Sequence, residues 1–295
     1  MVRWKRITLV GVGLLGGSLG LALKRRRLAE SVIGLVRRAA SVAECERAGA
    51  VDKATRDLRS AVDGAELLVL CTPLAQMRPL VWQMLPLLKP GMIITDVGSV
   101  KGSVVSELES LVSRRGAHFV GGHPIAGAEK TGVAAASADL FVNTVCVITP
   151  TTRSDKNAVR KVEQLWKLVG ARPLRLTPEE HDRFVSRSSH LPHVVAAELA
   201  NFVLGRNHPK EQATLCANGF RDTTRIASSS PEMWRDIALA NRKNLLNSLD
   251  AFLGDLVVFR RALAGRNDEA ITKFFEKAKQ RRDEWSGKTG SPSSE

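Results

Sequence analysis

The chain has 295 residues, which at about 150 residues per domain predicts about two domains with ample core. Its 44% hydrophobic and 25% charged residues are typical of a globular protein and exclude disordered, collagen-like and fibrous classes. The net charge of +14 suggests a polyanionic partner, yet it is spread evenly, with 19 basic and 12 acidic side chains in residues 1–150 and 25 and 18 in residues 151–295. Because the sequence has no basic arm and no nucleic-acid-binding motif, we expect neither a nucleic-acid nor a membrane partner.

The first half of the chain alternates short β-branched runs with segments of helical periodicity. The predicted strands are Ile7–Val10, Val32–Val36, Leu67–Cys71, Met92–Asp96, His118–Val120 and Val145–Ile148. The predicted helices are Leu14–Arg27, Ala39–Ala48, Leu74–Leu88 and Lys101–Arg114. This α/β alternation predicts an N-terminal Rossmann domain over residues 1–150, with a doubly wound parallel sheet that ends near Pro150. A connecting helix and a short strand extend this domain to about residue 176.

Residues 177–285 are predicted to form a second, all-helical domain. It opens at Thr177, where Pro178 and Glu180 complete the pattern of a capped helix start, and this helix is predicted to run to about Leu204. Further helical patterns cover Lys210–Ala217, Glu232–Leu263 and Asp268–Arg282. Residues 286–295, rich in Gly, Ser and Pro, predict a disordered tail. A substrate is then expected in the cleft beyond the carboxyl ends of the strands.

The first strand leads into a glycine pattern typical of dinucleotide binding. Gly11, Gly13 and Gly16 stand between this strand and the first predicted helix, in the spacing that lets backbone amides hold a pyrophosphate. Leu14 and Leu15 complete the loop, and Thr72 and Pro73 follow the third predicted strand as further candidates for cofactor binding.

The end of the second predicted strand bears on the choice of nucleotide. An NAD enzyme usually has a carboxylate there for the ribose 2′-hydroxyl, about 20 residues beyond the glycines. Here Arg37 and Arg38 follow Val36 instead, and a guanidinium suits a 2′-phosphate, so NADP is favoured over NAD. The alternative is that the arginines only cap the strand or stack on adenine, and that NAD is the cofactor.

The N-terminal apolar run Ile7–Leu23 superficially resembles a signal sequence. Five glycines interrupt it, and the basic cluster of residues 24–27 follows directly without a cleavage site. The four cysteines are Cys45, Cys71, Cys146 and Cys216, with no closely spaced pair among them. A cytoplasmic protein with reduced thiols is therefore expected.

Four further blocks carry candidate chemistry. They are Asp96-Val97-Gly98-Ser99-Val100-Lys101, Gly122-His123-Pro124-Ile125-Ala126-Gly127-Ala128-Glu129, Ser189-His190-Leu191-Pro192-His193, and Gly219-Phe220-Arg221-Asp222-Thr223-Thr224-Arg225-Ile226-Ala227. Together with the glycine loop, and in this order, they resemble the prephenate/arogenate dehydrogenase family of tyrosine biosynthesis. The resemblance implies oxidation of a cyclohexadienol with hydride transfer to NAD(P)+, loss of the ring carboxylate as CO₂, and a homodimer formed through the helical domain.

Oxidation of a ring carbinol needs a group that accepts the hydroxyl proton. A histidine, with an ordinary pKa of about 6.5, suits this task at neutral pH, and His123 lies at a strand end where Rossmann clefts display reactive groups. The resemblance assigns the same role to His123. Ser99 is placed to hydrogen-bond the nicotinamide and the substrate hydroxyl, and it is also a candidate helix N-cap.

The side-chain carboxylate of the substrate calls for a fixed cation. The resemblance assigns this role to Arg225, which can bind a carboxylate with two hydrogen bonds. It also implies that Asp222 and Glu129 form an ionic network that orients Arg225. Arg221 is expected on the surface.

His190 and His193, three residues apart, are predicted to face one side of a helix as substrate-pocket donors, with His190 placed further back. This spacing can also serve a metal, but no third ligand is evident and we predict no metal. Pro192 is expected to kink that helix. Trp234 resembles the family's pocket-wall aromatic, with core packing as the alternative.

Two questions stay open at the level of sequence. Ala128 replaces a hydroxyl residue common in the family, which leaves the choice between prephenate and arogenate undecided. The rival functions are another β-hydroxyacid-type dehydrogenase, which would usually carry a lysine in the helical domain, and a non-catalytic nucleotide-sensing or nucleic-acid-binding protein.

Overall fold

The computed structural model describes residues 3–127, 130–205 and 209–289. The chain forms two compact units, one up to Asn244 and one from Leu245 onward. The first unit contains a β-sheet with the helices around and after it, and the second contains most of one long helix and all of another. The predicted boundary near residue 176, between a nucleotide-binding domain and a helical domain, stays a prediction.

The sheet has eight strands within the described residues. They are β1 (Trp4–Val10), β2 (Ala29–Leu35), β3 (Lys53–Thr55), β4 (Leu67–Leu70), β5 (Ile93–Asp96), β6 (His118–Pro124), β7 (Val145–Thr149) and β8 (Arg172–Arg175). Their order is β3-β2-β1-β4-β5-β6-β7-β8, and the first six pair in parallel. This doubly wound arrangement confirms the predicted fold class.

Helices connect and follow the strands. They are α1 (Leu14–Arg25), α2 (Ala39–Arg47), α3 (Leu58–Val62), α4 (Leu74–Met84), α5 (Gly102–Ser113), α6 (Lys156–Leu168), α7 (Pro178–Val185), α8 (Leu191–Leu204), α9 (Lys210–Thr214), α10 (Asn218–Thr224), α11 (Pro231–Ala240), α12 (Arg242–Ala264) and α13 (Asp268–Thr289). In the described part of the chain, no helix has both the length and the apolar character needed to cross a bilayer.

Both faces of the sheet are buried, as expected for parallel strands covered by helices. In β4, Leu67 and Val69 point into one core, which includes Trp166 of α6. Leu68 and Leu70 point into the other, with side chains of α4 and α5. The period-2 alternation thus sends successive residues of one strand to opposite cores.

The sheet extends further than the sequence predicted. The expected end near Pro150 is wrong, because α6 crosses back and β8 pairs in parallel with β7. The strand β7 itself runs antiparallel to β6, which a strand-helix alternation does not reveal. The short β3 and α3 were also missed, since neither carries a clear apolar pattern.

The helical segments differ from prediction at several points. The pattern Glu232–Leu263 is divided by Asn241 into α11 and α12, because this side chain is turned inward to hydrogen-bond other elements. Pro192 lies in the first turn of α8, directly after a π-helical turn over Ser186–His190 that connects α8 to α7. Helix α13 continues to Thr289, past the predicted start of the tail, and residues 290–295 lie outside the described residues.

Candidate active site

The carboxyl ends of β1, β4, β5 and β6 meet at one edge of the sheet, where the glycine loop follows β1. Gly11 has φ +94°, a conformation open to glycine, and a Cβ there would lie 3.0 Å from the Cys71 carbonyl oxygen. A Cβ at Gly16 would lie 2.1 Å from the Gly11 carbonyl oxygen, whereas one at Gly13 would meet no atom within 4 Å. The first and third glycines therefore allow close packing, and the second leaves room for a ligand.

The space beside this loop is a cavity of about 840 Å³, called here the cofactor cavity. Its lining includes Gly11, Gly13, Arg37, Arg38, Ser41, Arg56, Thr72 and Pro73. Thr72 Oγ1 is buried without a hydrogen-bond partner among the described residues, as expected for a group that awaits one from a ligand. Leu14 begins α1, and the half-buried Leu15 packs against the core beneath it. These features fit a dinucleotide.

The arginines predicted for a 2′-phosphate lie at one side of the cofactor cavity. Arg37 and Arg38 are exposed, and Arg38 Nε lies 3.3 Å from Ser41 Oγ. A third arginine, Arg56, donates from Nε to the Arg37 carbonyl oxygen at 3.1 Å and also lines the cavity. Sequence reasoning missed Arg56 because it follows β3, which was not predicted.

A buried ion pair joins the next two strand ends. Lys101 and Asp96 are both fully buried and hydrogen-bonded to each other, and Lys101 Nζ also donates to the Gly122 carbonyl oxygen at 2.8 Å. The Asp96 carboxylate accepts the backbone N–H groups of Gly98 and Gly122 at 2.8 and 3.0 Å. The pair thereby fixes the turn that carries Ser99 against the strand that carries His123.

Ser99 is half-buried in this turn and does not cap the following helix. The N-cap residue of α5 is Lys101, and the capping side chain comes from α7. The two carboxylate oxygens of Asp182 accept the backbone N–H groups of Lys101 and Gly102, each at 2.8 Å. The proposed N-cap role of Ser99 is therefore wrong, and its hydroxyl is left for another function.

His123 lies near the end of β6, half-buried, with a row of side chains behind it. Its Nδ1 is 2.8 Å from Nε2 of the buried His181, whose Nδ1 is 2.8 Å from Oδ1 of Asp182. Burial lowers the pKa of His123 well below its usual value, and the pKa of His181 is also lowered, by burial first. Both rings are therefore neutral at pH 7.

A π-helical turn over Ser186–His190 separates α7 from α8. Such turns are frequent at functional sites. The turn buries His190, whose Nδ1 accepts from Asn241 Nδ2 at 3.2 Å, and Asn241 Nδ2 also donates to the Asp182 carbonyl oxygen at 2.8 Å. The His190 Nε2 is buried without a hydrogen-bond partner among the described residues. The predicted place of His190 behind the substrate pocket stays a prediction.

His193 and Trp234 form the outer part of the same cluster. Their rings stack with centroids 3.7 Å apart, and Trp234 also meets His190 edge-on at 5.9 Å. His193 Nδ1 donates to the Ser189 carbonyl oxygen at 2.9 Å, which leaves Nε2 as an acceptor in the neutral ring. Burial lowers the pKa of His193, and the Arg225 cation lowers it further. The prediction that His193 is a donor is therefore corrected to an acceptor.

We call His123, His181, His190 and His193, with Trp234, the histidine cluster. The half-buried ring of Trp234, with its buried Nε1 lacking a partner among the described residues, fits a pocket wall better than core packing. No group of three or more metal-ligating side chains occurs within residues 3–127, 130–205 and 209–289.

Arg225 opens a short 3₁₀ turn after α10 and is exposed. The 3₁₀ turn that Arg225 opens packs against α8, the helix of His193, and the Arg225 cation lowers the pKa of His193. Asp222 is exposed on α10, one turn before Arg225, and its predicted part in orienting Arg225 stays a prediction. Ala128 and Glu129 lie outside the described residues.

The fold and the site together define a class of protein, the NAD(P)-dependent dehydrogenases. The sheet is doubly wound, and its strand ends carry a glycine loop and the histidine cluster. Residues 19–174 match the model of the prephenate dehydrogenase nucleotide-binding domain, and residues 177–279 match that of the prephenate dehydrogenase dimerization domain. The chain belongs to the prephenate dehydrogenase family.

Individual relatives agree with this assignment. The chain is 36% identical to a prephenate dehydrogenase of Bacillus subtilis over 283 residues, 94% of this chain and 75% of that protein. A solved prephenate dehydrogenase from Aquifex aeolicus, in complex with hydroxyphenyl propionate and NAD+, is similar with a TM-score of 0.90, 32% identity and coverage of 95% of this chain and 98% of that one. The arogenate dehydrogenase of Synechocystis gives a TM-score of 0.81, 31% identity and coverage of 95% and 99%.

Proposed function

We propose that the protein oxidises and decarboxylates prephenate or arogenate, with hydride transfer to NAD(P)+, in tyrosine biosynthesis. The observation that carries this proposal is the neutral, half-buried His123 at the cleft edge of the sheet, with its Nδ1 engaged by His181 and its Nε2 left to accept a proton. Membership of the family, and relatives named for these two substrates, support it.

His123 Nε2 accepts the proton of the ring hydroxyl, and Ser99 hydrogen-bonds the same oxygen from the neighbouring turn. Gly11, Gly13 and Thr72 would hold NAD(P)+, which would accept the hydride that leaves the same ring carbon. The bond to the ring carboxylate then breaks, CO₂ leaves, and its electron pair completes the aromatic ring. The resulting phenolate oxygen takes back the proton held on His123. Burial, together with the nearby Lys101 cation, lowers the pKa of His123 and keeps this base unprotonated before substrate arrives.

Arg225 binds the side-chain carboxylate at the opposite end of the substrate. Its position beside His193 supports this role. The stacked rings of His193 and Trp234 then line the pocket between the site of the substrate ring and Arg225. Arg225 must stay away from the ring carboxylate, because stabilising that anion in the ground state would slow decarboxylation. Glu129 and Asp222 are retained as proposed members of a network that orients Arg225.

NADP is the proposed cofactor, with NAD as the alternative. Arg37 and Arg38 stand at the rim of the cofactor cavity, with Arg56 as a third cation and Ser41 as a neutral donor. No carboxylate follows β2 to receive a ribose 2′-hydroxyl. A 2′-phosphate would be bound by this group with charge-assisted hydrogen bonds.

We further propose a cytoplasmic homodimer. The second unit exposes large apolar side chains along both of its helices, among them Leu253, Val258, Phe275 and Trp285. Such a surface is expected to be covered in a dimer. The match of residues 177–279 to a dimerization domain supports this assignment.

The decisive test is a turnover matrix of prephenate and arogenate against NAD+ and NADP+. We expect NADPH absorbance to grow with at least one substrate, together with equimolar CO₂ and an aromatic product. A second set of assays uses a 3-hydroxy acid as the substrate in place of prephenate and arogenate. Turnover of that acid alone would transfer the protein to another class of dehydrogenase, and turnover of neither substrate would reject the proposed reaction.

A further inference from the structure

The row His123, His181, Asp182 fixes the position of each proton in it. Within the described residues, the Asp182 carboxylate contacts three nitrogens: the backbone N–H groups of Lys101 and Gly102, and Nδ1 of His181. A carboxylate can only accept hydrogen bonds. His181 therefore carries its hydrogen on Nδ1. When this ring is neutral, its Nε2 is an acceptor, and the only hydrogen available for the 2.8 Å contact is on Nδ1 of His123.

The consequence falls on the other side of His123. A neutral imidazole with its hydrogen on Nδ1 has a lone pair on Nε2, the form that can take a proton from the substrate. The opposite tautomer presents an N–H and is inactive as a base. Protonation of His181 has the same effect, because its Nε2 then donates to His123 Nδ1 and moves the remaining hydrogen of His123 to Nε2.

We propose that His181 is a positioning residue for the reaction: it holds His123 in the tautomer whose Nε2 is the base, and it transmits the orienting effect of the Asp182 carboxylate. The inference rests on the proposed function for its kinetic meaning. Its structural content, the tautomer of His123, stands independently of the substrate. His181 is fully buried, so it acts only through His123.

The surroundings suit this role. The titratable and charged groups that act on His123 are His181, Lys101 and His190, and all three disfavour a cation there. His181 is the one ring of this row that has a carboxylate next to it, with Asp96 more distant. When His123 takes the substrate proton, its Nδ1–H donates to His181 as the positive charge forms, and Asp182 stabilises that charge through the shared hydrogen bonds.

The test replaces His181 and reads the tautomer directly. Asp182 is unsuitable, since its carboxylate also caps α5. His181→Gln keeps an acceptor oxygen for His123 Nδ1, and His181→Leu removes it. Nitrogen-15 NMR of the histidine rings, without substrate, is expected to show His123 as the Nδ1–H tautomer in the unmodified protein and in His181→Gln. In His181→Leu, a mixture or the Nε2–H form is expected. His118→Gln, at the far end of β6, serves as the control.

Kinetic measurements use the unmodified protein, His181→Gln and His181→Leu. For His181→Leu we expect kcat to fall about 100-fold, with the KM of the substrate and the Kd of NAD(P) changed less than about 3-fold. His181→Gln should recover most of kcat, and the acid limb of its pH profile should shift, since one titrating ring is gone. Unfolding curves show whether His181→Leu is folded, and His181→Gln keeps the test valid if it is not.

The outcomes are distinguishable. An Nε2–H tautomer of His123 in the unmodified protein, or an unchanged tautomer in His181→Leu, overturns the proposal whatever the activity. Equal loss of kcat in the Leu and Gln variants also overturns it, because a merely structural role would not separate them. Absence of turnover in the unmodified protein, with the expected NMR result, rejects the proposed reaction and leaves the positioning role of His181 intact.

Discussion

The cofactor cavity and the histidine cluster are built in opposite ways. The cavity is open, shaped by main chain at Gly11 and Gly13, and lined at its rim by exposed arginines. The histidine cluster is largely buried, shaped by side chains from five elements, and kept neutral by burial. A change in the first region should therefore alter binding, and a change in the second should alter proton chemistry or acid stability.

The largest effect is expected in the cluster. His123→Asn removes the proton acceptor, and kcat should fall by about 10² to 10⁴-fold, because general-base catalysis contributes about this much. The Kd of NAD(P), measured by fluorescence, should stay within about 2-fold. His118→Asn on the same strand is the control. Near-normal turnover of His123→Asn would assign the base elsewhere, and a large loss of cofactor affinity would erase the contrast between the two regions.

The second effect separates two glycines of the cavity. Gly16→Ala places a Cβ 2.1 Å from the Gly11 carbonyl oxygen, so the free energy of unfolding should fall by about 3 kcal/mol. Gly13→Ala meets no atom within 4 Å. It should leave the free energy of unfolding within about 1 kcal/mol of the unmodified protein and weaken NAD(P) binding, because the methyl group occupies ligand space. Urea titrations and cofactor titrations measure both; equal destabilisation by the two variants would contradict the geometry.

The same contrast separates the features that the sequence predicts from those that it does not. The glycine loop is contiguous, and its spacing and its place between strand and helix follow from local rules, so Gly11, Gly13 and Gly16 were predicted with their roles. The parallel pairing of β1, β2, β4, β5 and β6 likewise followed from the strand-helix alternation, whereas β3 was missed. The direction of β7 and the addition of β8 depend on pairing between distant segments, which periodicity does not encode.

The histidine cluster shows where local rules end. His123, His190 and His193 were identified from motifs, but His181 stands in an ordinary helix start, 58 residues from His123. The packing of α7 against α5 and β7 brings the two rings together. Asn241 appeared to continue a helix, although it ends α11 and binds His190 from 51 residues away. The donor or acceptor state of each ring depends on these partners, so the wrong prediction for His193 could not have been avoided from sequence.

The third effect concerns acid stability. Burial lowers the pKa of His190 to about 4, from an ordinary value of about 6.5. Between these values the unfolded chain binds a proton that the folded chain does not, so this contribution to stability is present above pH 6.5 and is lost as the pH falls toward 4. From pH 7 to pH 5 the loss from His190 should be about 2 kcal/mol.

Urea unfolding at pH 7 and pH 5 measures this loss. His190→Gln should be less stable at pH 7 but lose about 2 kcal/mol less between the two values than the unmodified protein. The half-buried His193→Gln, whose ring is less desolvated, is the comparison and should change the pH dependence less. Parallel pH dependence in the unmodified protein and His190→Gln would show that this ring is not held neutral by burial.

The smallest effect is expected at the rim of the cavity, where the arginines are exposed and screened by salt. Replacing Arg37 and Arg38 together by Ala should weaken NADP binding about 10-fold and NAD binding less than about 2-fold, because only NADP carries the 2′-phosphate that they would bind. Arg56→Ala should give a smaller loss in the same direction, and Arg47→Ala, exposed at the end of α2, should give none. Titration of both nucleotides at two salt concentrations separates the cases. Equal losses for NAD and NADP would show that the arginines contact the adenosine rather than the 2′-phosphate. The cavity would then not distinguish NADP from NAD through these side chains.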